Sequence, residues 1–452
     1  MPNSRPHVVV VGSGIAGLSA AWHLRKDCHV TLLEANNRLG GHTHTHEIEI
    51  NGVRGPVDTG FIVFNHRTYP EIKSWFSELD ILTHAAEMSF SVSRDDGQFE
   101  WAGHSLTGLF AQPSNLFSPR FWGMLYDILR FHRQAPALLE KIESGAHAPM
   151  SLGDMLEQRG YSESFQSGYL LPMAGAIWSC PAEQMRAFPF ASFTRFCVNH
   201  GLLQIANRPQ WFSVAGGSQR YIEQMLNRAE QEGHRIEARL GHRVEQLTPL
   251  ADVLGQGVGG DEQVHVADGL PFALIAKGAV LAGHTDQSAK VLGFSGLPAA
   301  EFLAQFRYQS NSAYLHTDPA LMPKRKNAWA AWNYRATPGS STVSVTYWMN
   351  QLQSLPFDEP VLVSLNPDSP PLPNKTIARM EYDHPIFDSA AMAARQEIVK
   401  RQGQGQVWFA GAWMGYGFHE DGFRSGRQAA EGLLQQLRRQ QITSDKADRL
   451  AA

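Results

Sequence analysis

The chain has 452 residues, of which 43% are hydrophobic and 18% charged, with a formal net charge of −4. That length exceeds one ordinary core and calls for two lobes, while the near-neutral charge excludes a whole-protein basic field for nucleic acid. Three cysteines (Cys28, Cys180 and Cys197), without metal-ligand spacing, exclude a disulfide framework and fit a reducing cytoplasm. No stretch reaches the roughly 20 apolar residues of a membrane span. The apolar N-terminus carries a glycine turn where a signal peptide would carry a cleavage site. The expectation is a cytoplasmic chain whose membrane contact is at most peripheral, at the inner membrane.

Residues 8–11 are four valines, a composition suited to a strand buried on both faces of a parallel sheet. They run into Gly12-Ser13-Gly14-Ile15-Ala16-Gly17, a G-x-G-x-x-G turn opening a helix near Ile15. The first glycine permits the bend, the second lets backbone N–H groups approach a pyrophosphate, and the third lets helix and strand pack closely. The helix N-terminus adds unpaired donors and a positive dipole end. A second β-rich run, residues 29–33, ends at Glu34, where a carboxylate takes a ribose hydroxyl. Strand, turn, helix, strand and acid in this order point to a dinucleotide held by Gly12, Gly14, Ile15, Ala16 and Glu34. Downstream, His42, His44 and His46 alternate, so on a strand they would share one face. No acid or cysteine of ligand spacing accompanies them, and cofactor or surface roles are expected, with no metal.

Residues 66–209 read as mainly helical. Phe121, Trp122, Leu125, Ile128 and Leu129 fall on one helical face, flanked by Arg120, Arg130, His132 and Arg133. This pattern fits a helix laid on a membrane surface, and also a core-packed helix with a solvated face. From Trp211 to Ser218 a short run precedes a helix starting near Gln219, residues 236–247 read as strand, 255–261 as a Gly-rich hairpin or loop, and 279–284 as a buried strand. Residues 306–316, 328–334 and 342–349 are β-rich and aromatic; they are expected to form a sheet walling a cavity. Residues 407–412 form a strand ending in small residues. A Gly-rich loop, a helix from Phe423 and a polar, frayed tail over 442–452 follow.

The run Glu34-Ala35-Asn36-Asn37-Arg38-Leu39-Gly40-Gly41 resembles the E-A-x-x-R-x-G-G segment of FAD enzymes of the amine oxidase and phytoene desaturase superfamily. The resemblance implies FAD, with Ala35, Arg38, Gly40 and Gly41 along the diphosphate and ribityl chain. His42 stands where relatives carry an arginine, Gly60, Phe61 and Ile62 lie beside the flavin, and Val244 reads adenine through its backbone. Gly411, Ala412 and the segment from Gly415 to Ala430 resemble the superfamily's closing motif. There a helix N-terminus faces the flavin N1–C2=O region, placing Gly422 and Phe423 at the cofactor. Either Glu420 or Asp421 then stands at the family's acid, since the register is ambiguous by one residue. The implied fold is α/β, a Rossmann-type FAD-binding lobe (1–65, 210–289 and 391–441) interleaved with a mixed α+β substrate lobe (66–209 and 290–390). Covalent attachment in amine oxidases uses a cysteine in the closing segment, and none lies beyond Cys197, so noncovalent FAD is expected. Residues 307–314 lack the lysine that many amine oxidases place beside flavin N5.

Residues 57–65, 177–181, 346–350 and 415–422 together resemble the flavin domain that precedes the methyltransferase in plant cyclopropane fatty acid synthases, and its free-standing bacterial relatives. This implies a dehydrogenase or desaturase acting on methylated or unsaturated acyl chains of membrane phospholipid, with a fatty acid methyltransferase as partner. Two alternatives stand beside it, a flavin amine oxidase and a non-catalytic flavin-stabilised protein that presents lipid to a methyltransferase. Trp329, Trp332, Tyr334, Tyr347 and Trp348 suit an apolar slot. The candidate catalytic side chains are His419, Tyr416 and Trp348. For His419 a proton-handling role and a loop-shaping role are both open.

Overall fold

The valine run forms the middle strand of a parallel sheet, as its two-faced burial requires. The computed structural model describes residues 5–178, 181–204, 208–249, 264–267, 274–293, 295–337 and 344–451; the loop expected over 255–261 and the Ser179–Cys180 pair lie outside them. Five strands pair in the order Ile236–Leu240, His29–Glu34, His7–Val11, Ala279–Leu281, Val407–Phe409, all parallel. The chain thus winds outward from the first strand in both directions. The reversal at that strand leaves a crevice beyond the strands' C-terminal ends, where ligands of such sheets bind. Val8, Val9 and Val10 are wholly buried.

Two helices from opposite ends of the chain cover one face of this sheet. Ile15–Leu24 packs against His419–Ala451, and glycines set how close they come. A Cβ on Gly17 would lie 1.9 Å from the Gly12 carbonyl oxygen, and one on Gly426 would lie 2.0 Å from that of Ala16. At the same crossing the Ser19 hydroxyl donates to the Phe423 carbonyl at 2.7 Å. The closing helix continues to Ala451, so the segment expected as a frayed tail is helical.

A second sheet of seven strands runs in the order Thr376–Pro385, Tyr308–His316, Leu362–Leu365, Ser344–Trp348, Trp332–Ala336, Phe90–Arg94, Phe99–Ala102. All its pairings are antiparallel except Trp332–Ala336 with Phe90–Arg94. The three expected β-rich segments are in it, joined by two strands from the half expected to be helical. The helix Pro119–Glu143 is capped by the Ser118 side chain, with proline in its first turn. It buries Phe121, Met124, Phe131, Ala135 and Leu138 but leaves Trp122 and Leu129 exposed. The expected apolar face is therefore split between core and solvent.

Packing draws the lobe boundaries elsewhere than the motifs suggested. Helix Pro70–Glu78 contributes Ile72, Trp75 and Phe76 to the core formed by Leu18, Trp22 and Tyr221. Leu292, Leu303 and Phe306 pack with Val9 and Leu281. Both segments thus join the dinucleotide-type lobe.

Candidate active site

A cavity of about 1580 Å³ runs from the crevice at the sheet's C-terminal edge into the seven-stranded lobe. Its wall brings together Gly12, Gly14, Ile15, Ala16, Glu34, Ala35, Arg38, Gly41, His42, Gly60, Phe61, Ile62, Val244, Gly411, Ala412, Tyr416 and His419. Gly40, Trp348, Glu420, Asp421, Gly422 and Phe423 are not part of that wall.

The glycine turn is built around one carboxylate. Gly12 has φ +96°, a conformation that favours glycine, and it turns the chain so that Ser13 faces Glu34. The Ser13 N–H (2.9 Å) and hydroxyl (2.5 Å) donate to Glu34 Oε2, while the Asn36 N–H and side-chain amide donate to Oε1, each at 2.9 Å. Four donors thus fix an acid at the cavity wall. Gly40 works behind it, its N–H donating to the Ser13 carbonyl (3.1 Å) and hydroxyl (3.2 Å).

The residues present fit an anionic dinucleotide. No side chain caps the Ile15–Leu24 helix, no acid lies in its first turn, and a Cβ at Gly14 would meet nothing within 4 Å. Free donors and open space therefore coincide at the helix N-terminus. Arg38 donates to the carbonyls of Gly41 (2.7 Å) and Thr43 (3.1 Å), which sets a cation in the wall with no ion-pair partner among the described residues. His42 Nε2 is buried and without a hydrogen-bond partner among the described residues. Its ring stacks on Tyr382 at 5.1 Å and lies 5.3 Å from His384. Desolvation, with His384 and His284 nearby, pushes the His42 pKa well below its ordinary value, so a neutral imidazole faces the cradle.

His419 begins the closing helix. Its ring lies flat on Phe61 at 3.7 Å and 4°, and its Nε2 is 3.2 Å from Thr43 Oγ1 and 3.0 Å from the Tyr221 hydroxyl. Enclosure pushes its pKa down to about 3. The side chain is thus a neutral joint between the Gly41–His42 turn, the Phe61 segment and the closing helix. Tyr416 also faces the cavity, and Arg195 donates to its hydroxyl at 3.2 Å while pairing with Glu143. Trp348 sits outside, edge-on to Trp329 at 5.4 Å.

The two acids of the closing motif do separate structural work. Glu420 accepts the N–H groups of Glu71 (2.9 Å) and Ile72 (3.0 Å) at the start of helix Pro70–Glu78. Asp421 accepts those of Tyr416 (2.9 Å) and Phe418 (3.2 Å) and so shapes the loop. Burial raises the pKa of both. The alternating histidines also diverge. The strand starts at Thr45, so His42 turns into the cavity while His44 and His46 pair with each other at 4.0 Å. Among the described residues no group of three or more His, Cys, Asp or Glu comes together as a metal site, and no helix is long and apolar enough to cross a membrane.

Beyond the cradle the wall turns apolar, with Phe90, Trp101, Tyr169, Met173, Trp178, Phe196, Trp211, Trp332 and Tyr347. Trp332 and Tyr347 are among the aromatics expected there; Trp329 and Tyr334 are not in the wall. Sequence reasoning missed Tyr382, His384, His284 and Tyr308, which cluster beside His42. Tyr382 and His384 stand two apart on Thr376–Pro385 and so share a face, a signal that strand alternation could have supplied.

Residues 10–79 match the family model of the NAD(P)-binding Rossmann-like domain. A curated L-amino-acid oxidase from Notechis scutatus scutatus is 57% identical over 47 residues, 10% of this chain and 9% of that protein. The match thus spans about a tenth of that relative's length. Across nearly the whole chain the likeness is one of fold. Cyclohexylamine oxidase from Brevibacterium oxydans superposes with a TM-score of 0.66 at 15% identity, covering 96% of this chain and 100% of that one. A CLA-producing fatty acid isomerase from P. acnes gives 0.61 at 14% identity, covering 94% and 97%. The chain has the Rossmann-like, two-lobed fold of the amine oxidases.

Proposed function

We propose that this chain is an FAD-dependent oxidoreductase that withdraws hydrogen from the acyl chain of a membrane lipid, a dehydrogenase or desaturase by reaction type. The observation that carries this reading is the composition of one continuous cavity. A dinucleotide cradle with a cation and a helix N-terminus opens directly into a slot of aromatic and aliphatic side chains. Such a slot accepts a long apolar chain without needing a buried counter-ion. The fold shared with a fatty acid isomerase supports it.

Bound FAD would supply a two-electron (hydride) acceptor at this cavity. The chain's own residues do the rest. Gly12, Gly14 and Arg38 bind the anionic part, and Glu34 sets the turn. Phe61, clamped by His419, holds the wall, and the rings of the arm exclude water from the reacting carbons. The two described free cysteines, Cys28 and Cys197, are buried and neither lines the cavity, which supports noncovalent retention. The strand Tyr308–His316 contains no lysine. At the cavity wall Tyr308 instead accepts the Thr285 N–H at 2.9 Å.

Anaerobic titration of the flavin-loaded protein tests this. Lipids bearing unsaturated or methyl-branched acyl chains are expected to bleach the flavin. Bleaching by amines alone would replace the reading with amine oxidation. No reduction by either would leave a lipid-presenting protein without turnover.

A further inference from the structure

We propose that the outer face of helix Pro119–Glu143, with the short turns before it, seats the protein on an anionic lipid bilayer beside a mouth of the cavity. The proposal builds on the reading of the substrate as an acyl lipid and adds how that substrate is reached. Leu106, Phe117, Trp122, Tyr126 and Leu129 are 77%, 82%, 49%, 66% and 53% exposed. Trp122, Tyr126 and Leu129 recur at helical spacing on one face. Trp122 joins them to the turns, since its indole N–H donates to the Leu116 carbonyl at 2.9 Å and its ring lies 5.9 Å from Phe110. Large apolar side chains clustered at this exposure mark an interaction surface.

Charge selects the occupant. Between Glu100 and Glu140 the only acid is Asp127. It is buried, held by Arg130 at 3.3 Å and by the Ser162 N–H at 2.9 Å. Arg120 and Arg133 are exposed on the same segment, in a chain whose net charge is −4. An apolar stripe with tryptophan and tyrosine, with exposed Arg120 and Arg133 on its segment and the helix's own exposed acids, Glu140 and Glu143, about three turns beyond Leu129 at the far end, matches the interface of an anionic bilayer.

The patch also lies over the cavity. Trp101, Gly103 and Tyr169 are cavity wall, and Gly103 is at once exposed and three residues before Leu106. The Trp101 ring is 6.3 Å from Phe121 of the helix, and His132 of the same helix lies 3.1 Å from the Tyr169 hydroxyl. A lipid leaving the bilayer under this helix would enter the aromatic arm without crossing water.

Flotation of the flavin-loaded full chain with vesicles decides the matter. It should bind phosphatidylglycerol–phosphatidylcholine vesicles and bind pure phosphatidylcholine vesicles much more weakly. Phe117→Ser with Tyr126→Ser should lower partitioning on the order of tenfold or more, and Arg120→Glu with Arg133→Glu about thirtyfold or more. Flavin content and melting temperature should stay unchanged. Failure to bind anionic vesicles, or wild-type binding by both variants, would overturn the proposal. So would variants that only dissolve a dimer, which would make the face an interface between copies of this chain. Vesicle binding needs no turnover, so a protein that binds but oxidises no lipid would sink the proposed reaction and leave this surface standing.

Discussion

Replacing Gly426 by alanine should loosen the clamp between the two ends of the chain, although the same change ordinarily strengthens a helix. Alanine for glycine in a helix interior is worth about 1 kcal/mol. At Gly426 the added Cβ would lie 2.0 Å from the Ala16 carbonyl oxygen and 2.9 Å from the Ser19 Cβ. Carbon contacts settle at roughly 3.5–4 Å, so the helices must part by about 1 Å or more. Overpacking of that kind costs about 1–3 kcal/mol. The shift also strains the Ser19–Phe423 hydrogen bond, worth about 1 kcal/mol. The net expectation is a loss of about 1–3 kcal/mol. Ile15 and Ala16 on one helix, and Gly411 and Ala412 just before the other, line the cavity, so flavin retention should fall with stability. Gly123→Ala supplies the control, because that glycine is also inside a long helix and its Cβ would meet nothing within 4 Å. It should gain about 0.5–1 kcal/mol. Urea unfolding of both variants, with flavin fluorescence after gel filtration, reads the two effects. A Gly426→Ala protein as stable and as fully loaded as wild type would refute the clamp.

Acid should destabilise the fold well before carboxylates protonate. His419 and His384 are pushed down to about 3 and 4 by burial, so below their ordinary value near 6.5 the unfolded chain takes up protons that the folded chain refuses. Their contribution is complete above about pH 6.5 and drains as pH falls toward 4, on the order of 2 kcal/mol each by pH 5; urea midpoints that stay flat from pH 7.5 to 5 would contradict this. His419→Ala should weaken flavin binding while leaving turnover of the loaded protein intact, with His419→Asn restoring part of the binding by keeping a polar atom near Thr43 and Tyr221. Loss of turnover at normal flavin affinity would instead make His419 catalytic. Glu34→Ala strips four donors of their acceptor and should cost about 2–4 kcal/mol together with flavin retention; thermal melts and cofactor stoichiometry check both.

The parts of the site that were legible are those whose chemistry is local in sequence. The glycine turn and Glu34 meet within one strand–helix–strand unit, so spacing alone brought them together. Glu420 and Asp421 were ambiguous because the decisive partners are not local. Glu420 is held by the backbone of Glu71 and Ile72, about 350 residues earlier, which no motif register encodes. Trp348 and Tyr347 show a second limit. Adjacent strand residues point to opposite faces, and only the sheet's packing reveals that Tyr347 takes the cavity side. Nor does local sequence reveal that helix Pro70–Glu78 packs Trp75 and Phe76 into the core with Leu18, Trp22 and Tyr221.

What burial does to charge inside the cavity bears on the reaction. His42, His384 and His419 are all pushed toward the neutral form, and the wall's buried acid, Glu34, is saturated by donors of its own turn. The other carboxylates in the wall, Glu87, Glu245, Glu381 and Asp383, are exposed and so lie toward its openings. A protonated amine carried into the aromatic arm would find no buried counter-ion there, and the desolvation of an unpaired ammonium costs several kcal/mol or more. An acyl chain meets no such penalty, and gains from every apolar ring it covers. This wall therefore favours the proposed reading, in which the substrate brings no charge to the reacting carbon. On the proposed reading of an acyl-lipid substrate, an anionic headgroup would stay outside, where Arg120 and Arg133 are exposed.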